Sequence, residues 1–473
     1  MRYSLSNFIV LFIFLLGALF LISKDYIYLS LPIKYLLIIS YIICCSVIFG
    51  YLITLKIYNY IPILPLTCFF FLVSYLSSAF FNFEIFIDNQ HSNVEDLNYA
   101  INILFFGILS FIAGFFLTML VFKKYIRTGI NFFNSTMKEI FIYGLLINSI
   151  LILLYYFFKI QNFYPSLFQI KYPLLLLGFA LFTNYIYHSK SIFSLNVLII
   201  LCFKFYIILS ELITGSYALP FILIFLDYIY YSYLKKKIFI SPIILFILVF
   251  FVTHEGKEKF RQITWEIKSE KNYYEKAGLF YRVYKNMFNG KTILNIFDGK
   301  NQTNRRMAHS FESLVIVTSK TPEQIPYWNG YSYHILKSKI LPRIFWKDKP
   351  NDELGNEFGH RYKILTDNKD LKDTTTSWNM PVLNEFYVNF GLNGVIFGMF
   401  LIGFFFGLLT KYFSFQNNLN LESIFSFYLF IPLFFLESHL SLLIGALIQS
   451  YIFLIIISLV FLFLIRKILK LYL

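Results

Sequence analysis

The stretch YAINILFFGILSFIAGFFLTMLVF, residues 99–122, decides the class of fold. It runs for 24 residues without a charged side chain, and about 20 apolar residues are enough for an α-helix to cross the hydrocarbon core of a bilayer. Glu95 and Asp96 precede it, whereas Lys123 and Lys124 follow. Because lysine and arginine are retained on the cytoplasmic side of a membrane, this helix is predicted to begin outside and end in the cytoplasm.

The composition extends that interpretation to the whole chain. Of its 473 residues 58% are hydrophobic and only 14% are charged, whereas soluble domains have about 25% charged residues. Much of the net charge of +15 flanks apolar segments, so it indicates membrane topology rather than a nucleic-acid partner. All four cysteines lie in apolar segments, and metal-ligand spacings such as CxxC and HExxH are absent. Neither a disulfide framework nor a metal site is predicted.

Hydropathy predicts an all-α, polytopic bundle of about 12 transmembrane helices. Both termini are predicted to be cytoplasmic, because the basic clusters then fall inside and the acidic loop after the third span falls outside. One large, mainly helical extracytoplasmic loop, 254–385, then separates an N-terminal bundle of about nine spans, 1–253, from about three C-terminal spans, 386–473. The predicted spans are 5–23 (interpreted as retained, not as a cleaved signal peptide), 35–55, 61–82, 99–122, 141–158, 172–187, 192–210, 217–234, 238–253, 386–410, 421–438 and 442–465.

The large outer loop is the place to look for function, because binding and catalytic residues concentrate on loops held by a rigid scaffold. A helix is predicted over RRMAHSFESLVIVTSK, where Arg306, His309 and Ser313 share one face and Glu312 lies beside them. A cation, an imidazole and a carboxylate on one face can bind phosphate and transfer a proton. A solvated helix face with its own ion pair explains the same pattern.

The next segment, TPEQIPYWNGYSY at 321–333, is predicted to be a loop because proline and glycine interrupt it. Tyr327, Trp328 and Tyr331 carry rings of the kind that stack on sugars. Tyrosine and tryptophan also form belts at membrane interfaces, which is the alternative explanation.

Residues 337–350, KSKILPRIFWKDKP, follow that loop. Pro342 and Pro350 prevent a continuous helix, so Arg343 is expected on a short rigid segment beside Trp346. Arginine offers a planar fork to phosphate oxygens, and the segment is interpreted as an anion site at the water–lipid boundary. The alternative is a snorkelling cation next to an interfacial aromatic anchor.

Two further charged residues lie at the predicted membrane surface. Arg261 follows the ninth span in an amphipathic segment whose cations could also contact lipid headgroups. Glu385 lies at the outer start of the tenth span. A carboxylate there is either a partner of the helix dipole or a catalytic base.

Two stretches together resemble a known family: RMAHSFESLVIVTSKTPEQIPYWNGYSYHILKSKILPRIFWKDKP, 306–350, and NEFYVNFGLNGVIFGMFLIG, 384–403. They are similar in order and spacing to the O-antigen, or oligosaccharide repeat-unit, polymerases of bacterial envelopes, over roughly the last two-fifths of the chain. That family often has Gly-Ser-Arg at the outer start of an earlier span. This chain has Gly215, Ser216 and Tyr217 there, so that arginine is missing.

The resemblance implies a multi-pass glycosyltransferase of GT-C-like architecture in the bacterial cytoplasmic (inner) membrane, working on its outer face without a metal or other cofactor. Donor and acceptor would be oligosaccharides linked to undecaprenyl pyrophosphate, among membrane lipids, with a chain-length regulator and a repeat-unit flippase as further partners and no nucleic acid. Arginines near the bilayer would stabilise the leaving pyrophosphate, and a carboxylate or imidazole would accept the proton. The residues predicted for pyrophosphate are Arg343, Arg306, Arg261 and Lys349, those for the base are Glu385, His309 and Glu312, and those for sugar are Tyr327, Trp328 and Tyr331.

Two other functions are compatible with the sequence. A glycan ligase would use nearly the same architecture and chemistry. A flippase or transporter with a regulatory outer loop is the alternative from another class, although intramembrane charges, which transport pathways need, are few in the predicted spans.

Overall fold

The computed structural model describes the chain as a set of helices joined by turns. The residues that it describes contain no β-strand, so the prediction of an all-helical protein is confirmed for this part of the chain. The described residues are 30–53, 62–81, 93–122, 137–159, 168–189, 191, 193–213, 218–235, 256–257, 260, 263–264, 273–289, 302–339, 346, 348–350, 352–365, 378–412, 433 and 436–460.

The α-helices in the described ranges are α1 to α13 in chain order. Two of them extend through a π-helical turn, the second through Leu72–Leu76 into Ser77–Phe81 and the fourth through Ile152–Phe157. A 3₁₀ turn, Tyr331–Ile335, precedes the tenth. The helices are α1 (Leu31–Ile53), α2 (Ile63–Phe71), α3 (Val94–Val121), α4 (Met137–Leu151), α5 (Phe168–His188), α6 (Leu195–Ile213), α7 (Ala218–Lys235), α8 (Tyr273–Asn289), α9 (Gln302–Lys320), α10 (Leu336–Lys339), α11 (Leu354–Arg361), α12 (Val382–Tyr412) and α13 (Leu440–Val460).

Five segments of these helices are long and apolar enough to cross a membrane, which is consistent with a helical membrane protein. Every predicted span that falls within the described ranges coincides with a helix. Spans 5–23 and 238–253, and most of 421–438, lie outside the described residues. The total of about 12 spans, the GT-C-like architecture and the inner-membrane topology stay predictions. The five segments are Leu31–Tyr51, Val94–Val121, Lys138–Phe157, Leu195–Ile213 and Val382–Lys411.

The chain forms two compact units. Unit 1 comprises Met1–Ile130, Arg306–Leu419 and Leu429–Leu473, and unit 2 comprises Asn131–Arg305 and Asn420–Tyr428. Unit 1 therefore combines the first helices with the last ones and with most of the region that carries the candidate site. The predicted segments 1–253, 254–385 and 386–473 were drawn by membrane sidedness rather than by contacts, and that division stays a prediction.

In unit 1, α12 packs along α3 with the two backbones in direct contact. A Cβ atom added at Gly114 would overlap the carbonyl of Phe400, and one added at Gly403 would overlap the carbonyl of Phe111. Thr118 Oγ1 donates across the same interface to the carbonyl oxygen of Phe404, at 2.9 Å. Small residues allow this approach between apolar helices, where van der Waals contact and hydrogen bonds drive association.

In unit 2, two buried ion pairs join helices. Lys171 Nζ of α5 lies 2.5 Å from Glu211 Oε1 of α6, and Lys204 Nζ of α6 lies 2.5 Å from Asp227 Oδ2 of α7. Thr183 of α5 donates to Asp227 Oδ1 and accepts from Lys204 Nζ, at 2.5 and 2.6 Å. Lys171, Glu211 and Lys204 are thus compensated where water is largely excluded, which a buried charge requires, whereas Asp227 keeps 25% of its side chain exposed.

We expect Gly403→Ala to destabilise the protein, because the added methyl group forces α3 and α12 apart. Overpacking of this kind costs about 1–3 kcal/mol. Gly50→Ala is the matched control, since a Cβ added at Gly50 of α1 has no atom within 4 Å. Thermal unfolding of the detergent-solubilised protein compares the two variants. Equal melting temperatures for Gly403→Ala and wild type would contradict the backbone contact.

Candidate functional site

The candidate site is built around a break in α12. Gly391 adopts φ 64° and ψ −152°, a conformation that is essentially restricted to glycine. The carbonyl oxygens of Val388 and Asn389, just before the break, accept hydrogen bonds from the backbone N–H groups of Trp328 and Asn329, at 2.9 and 3.2 Å. The break therefore holds the loop that carries the predicted sugar-binding aromatics.

Glu385, in the first turn of α12, is completely buried and joins two other segments to this helix. Its Oε1 accepts from Ser332 Oγ and its Oε2 from the backbone N–H of Leu440, both at 2.6 Å. Asn389 Nδ2 donates to the same Ser332 Oγ at 2.8 Å. The carboxylate lies at the N-terminus of α13, where the helix dipole favours a negative group. No atom of Glu385 is open to a substrate while both oxygens are occupied.

Asp352 forms a second polar centre, which sequence reasoning missed. Its carboxylate accepts from Lys339 Nζ at 2.6 Å, His439 Nε2 at 3.0 Å and Ser441 Oγ at 2.8 Å. Burial raises the pKa of Asp352, but the hydrogen bonds and charges of His439 and Lys339 outweigh it and lower the pKa well below its ordinary value. His439 and Asp352 are 87 positions apart, so no local spacing could have paired them.

The Lys339–Asp352 pair also fixes both ends of the segment that contains Arg343. Arg343 itself lies outside the described residues, as does Arg261. Arg306 belongs to α9 by its backbone, but its side chain is outside the described part. Convergence of these three arginines on a pyrophosphate stays a prediction.

Lys349, the fourth predicted pyrophosphate contact, is within the described residues. It is buried, with 7% of its surface exposed. Its backbone N–H donates to the carbonyl oxygen of Trp346 at 3.3 Å. A contact of Lys349 with pyrophosphate stays a prediction.

Ser313 lies on the face of α9 that contacts α12. Asn384 Nδ2 donates to the fully buried Ser313 Oγ at 2.7 Å. His309, one turn earlier, is half-buried and stacks on Trp378 with ring centroids 4.1 Å apart and planes at 21°. Glu312 is also half-buried. The structure thus places the two base candidates of α9 at the edge of a packed interface.

The three predicted sugar-binding aromatics have different exposures. Trp328 is 8% exposed, and the guanidinium of Arg361 lies 5.5 Å from the centre of its ring. Tyr331 packs against Trp328 at 5.7 Å and keeps 47% of its surface exposed. Tyr327 is half-buried and packs edge-on against Tyr387. Tyr331 is therefore the ring of this group that a ligand reaches most easily.

Comparison of the chain with protein-family models, curated proteins and solved structures gives no match. Within the described ranges, no group of three or more His, Cys, Asp or Glu side chains could hold a metal ion. The described residues of the site include buried carboxylates, a stacked imidazole and cations beside aromatic rings.

We expect Asp352→Asn to lower the melting temperature at neutral pH by breaking the network around Lys339. Removing one partner of a buried ion pair costs about 3 kcal/mol, because the other charge is left uncompensated. The folded-state pKa of Asp352 is lowered below the unfolded value of about 3.9, so its contribution is present above that pH and is lost as the pH falls below it.

Thermal unfolding at a series of pH values checks this expectation. The difference between wild type and Asp352→Asn should be constant near neutrality and narrow only below about pH 4. Asp348→Asn, at an exposed position close in sequence, should behave like wild type throughout. A difference that persists unchanged to pH 2 would contradict the assigned role.

Proposed function

We propose that this protein is a glycosyltransferase that polymerises lipid-linked oligosaccharide repeat units on the outer face of the bacterial cytoplasmic membrane. One observation carries the proposal: the separate segments on which the family resemblance rests fold onto one another. Residues 306–350 contribute Ser313 and Trp328, which bond to Asn384 and Val388 of the segment 384–403. The proximity of the two segments supports the proposal, because the family resemblance rests on both of them.

In the proposed reaction, an acceptor hydroxyl attacks the anomeric carbon of the donor sugar. A new C–O bond forms, the bond to the lipid pyrophosphate breaks, and the hydroxyl proton passes to a base. The leaving group gains negative charge, which positioned arginines stabilise. We assign that role to Arg343, with Arg306 and Arg261 as further contacts, because their guanidinium groups match phosphate oxygens.

We propose His309 as the base, with Glu312 as the second choice. The stacking of His309 on Trp378 fixes the plane of the imidazole ring. A neutral imidazole accepts a proton near neutral pH. Glu385 is buried with both oxygens occupied, so we assign it to holding Ser332 and the start of α13 in place rather than to proton transfer.

Arg343→Ala tests the proposal in a strain that lacks the protein. We expect the long glycan chains to disappear, since loss of one charge-stabilising donor costs about 10²–10³ in rate. Arg343→Lys should restore only part of the activity, because lysine keeps the charge but not the fork. Glycan length is read on a gel and protein level by immunoblot.

Arg282→Ala is the matched control, since Arg282 belongs to the same predicted loop and is exposed on α8. It should give normal chains. Normal chain length from both Arg343 variants at normal protein level would overturn the catalytic assignment. A ligase is told apart in the same strain, because its loss leaves long chains on the carrier lipid, whereas polymerase loss leaves single repeat units.

A flippase or transporter is the second candidate, and the ion pairs of unit 2 favour it. Lys204 and Glu211 lie two turns apart on the buried face of α6, while Leu198, Leu201 and Phe205 face outward. Ionisable groups on the inner face of a candidate span often mark a substrate or ion pathway.

Transport is tested with the purified protein in liposomes that contain lipid-linked repeat units. A transporter would move them across the bilayer, would keep that activity in Arg343→Ala and would lose it in Lys204→Met. Our proposal predicts polymerisation and no movement. If the Arg343→Ala variant still moves lipid-linked repeat units across the bilayer and no polymer forms, the protein is a transporter and not a polymerase.

A further inference from the structure

Three cations lie around Tyr362, where α11 ends. Lys320 Nζ donates to the carbonyl oxygen of Tyr362 at 2.8 Å. Arg361, the preceding residue, donates through Nη2 to the carbonyl oxygen of Pro326 at 2.5 Å. Lys363 follows Tyr362 and is exposed. We call Lys320, Arg361 and Lys363 the Tyr362 cluster.

The Tyr362 cluster has no acidic partner within the described part of the chain. The ion pairs found there involve other residues, namely Lys171, Lys204, Lys339 and His439. Arg361 Nε is covered by protein and donates to no acceptor in the described ranges. Within the described ranges, no carboxylate forms an ion pair with these three cations.

Repulsion within the cluster affects the pKa of Lys320. Partial burial and the positive charge of Lys363 both lower the pKa of Lys320. Neighbouring like charges cost free energy, and an anion bound beside them would reduce that cost. The arrangement thus favours a negatively charged ligand over a neutral one.

The cluster is continuous with the aromatic rings of the candidate site. Arg361 lies over Trp328 at 5.5 Å, and Tyr331 packs on the same tryptophan with nearly half of its surface exposed. Tyr331 Oη also donates to Glu357 Oε1 at 3.3 Å. A ligand with an anionic group at Arg361 would bring its adjoining atoms next to Tyr331, where the flat face of a sugar ring can pack.

We propose that Lys320, Arg361 and Lys363 bind an anionic group, a carboxylate or a phosphate, that is carried by a sugar residue whose ring packs against Tyr331. These three cations are separate in sequence from residues 337–350, which carry Arg343. Its affinity for anionic sugars does not depend on any reaction. The further statement that this sugar belongs to the glycan repeat unit rests on the proposed polymerase function.

The test uses the full-length protein in a neutral detergent and four probes: glucuronate, glucose 6-phosphate, inorganic phosphate and glucose. Binding is followed by tryptophan fluorescence, since Trp328 lies beneath Arg361, and by the shift in melting temperature, because a ligand that binds the folded state stabilises it. We expect both anionic sugars to bind and glucose not to. Whichever anionic sugar binds more tightly identifies the source of the charge. Inorganic phosphate, which lacks a ring, should bind more weakly than glucose 6-phosphate.

Lys363→Asn removes one charge of the cluster and suits the backbone, because Lys363 has φ 55° and asparagine adopts positive φ more readily than most residues. We expect it to weaken anionic-sugar binding about tenfold, the effect of losing one charged contact. The same change should raise the melting temperature of the ligand-free protein by relieving repulsion at Lys320. Lys363→Arg keeps the charge and should keep the affinity.

Lys337→Gln is the matched control, because Lys337 is an exposed lysine outside the cluster; it should change neither property. If Lys363→Asn does not fold, Lys363→Gln takes its place in the comparison. Binding of glucose as tight as that of glucuronate and glucose 6-phosphate, or unchanged affinity after loss of the Lys363 charge, overturns the proposal. These measurements need no lipid-linked substrate, so their failure is distinct from a failure of the polymerase test.

Discussion

A carboxylate removed from water must find hydrogen-bond donors, and this requirement organises the described part of unit 1 around Glu385. The buried side chain accepts from Ser332 and from the backbone of Leu440. One residue of α12 thus joins the aromatic loop and the start of α13. Because an unpaired charge in this position would be very unfavourable, the three segments are held in one arrangement. The break at Gly391 adds a second attachment for the same loop.

The charged residues of the candidate site have two different roles. Asp352 and Glu385 are buried and have their oxygens occupied by protein donors, so they maintain the geometry. The cations around Tyr362 differ, because they lie beside exposed aromatic surface with no carboxylate partner in the described ranges. Asp352 and Glu385 are therefore suited to maintaining the fold. The Tyr362 cluster is suited to binding a ligand.

The helices within each unit associate by different physical means. In unit 1, Gly114 and Gly403 allow two apolar backbones to touch, so that dispersion contacts and a hydrogen bond from Thr118 act over a short distance. In unit 2, the charges of Lys204 and Asp227 meet between helices and compensate each other. The first means needs only small residues at the right spacing. The second needs a complementary charge on another helix.

The sequence alone determined that the protein is helical and apolar, because the length of uncharged runs such as 99–122 is a local property. It also indicated that the 321–333 segment is a loop, since glycine and proline act through their own backbone. Only the tertiary structure decided that Glu385 is enclosed, that Asp352 pairs with His439, and that Lys320 and Lys363 come together. Those facts depend on which distant segments approach one another, and no local pattern encodes that approach.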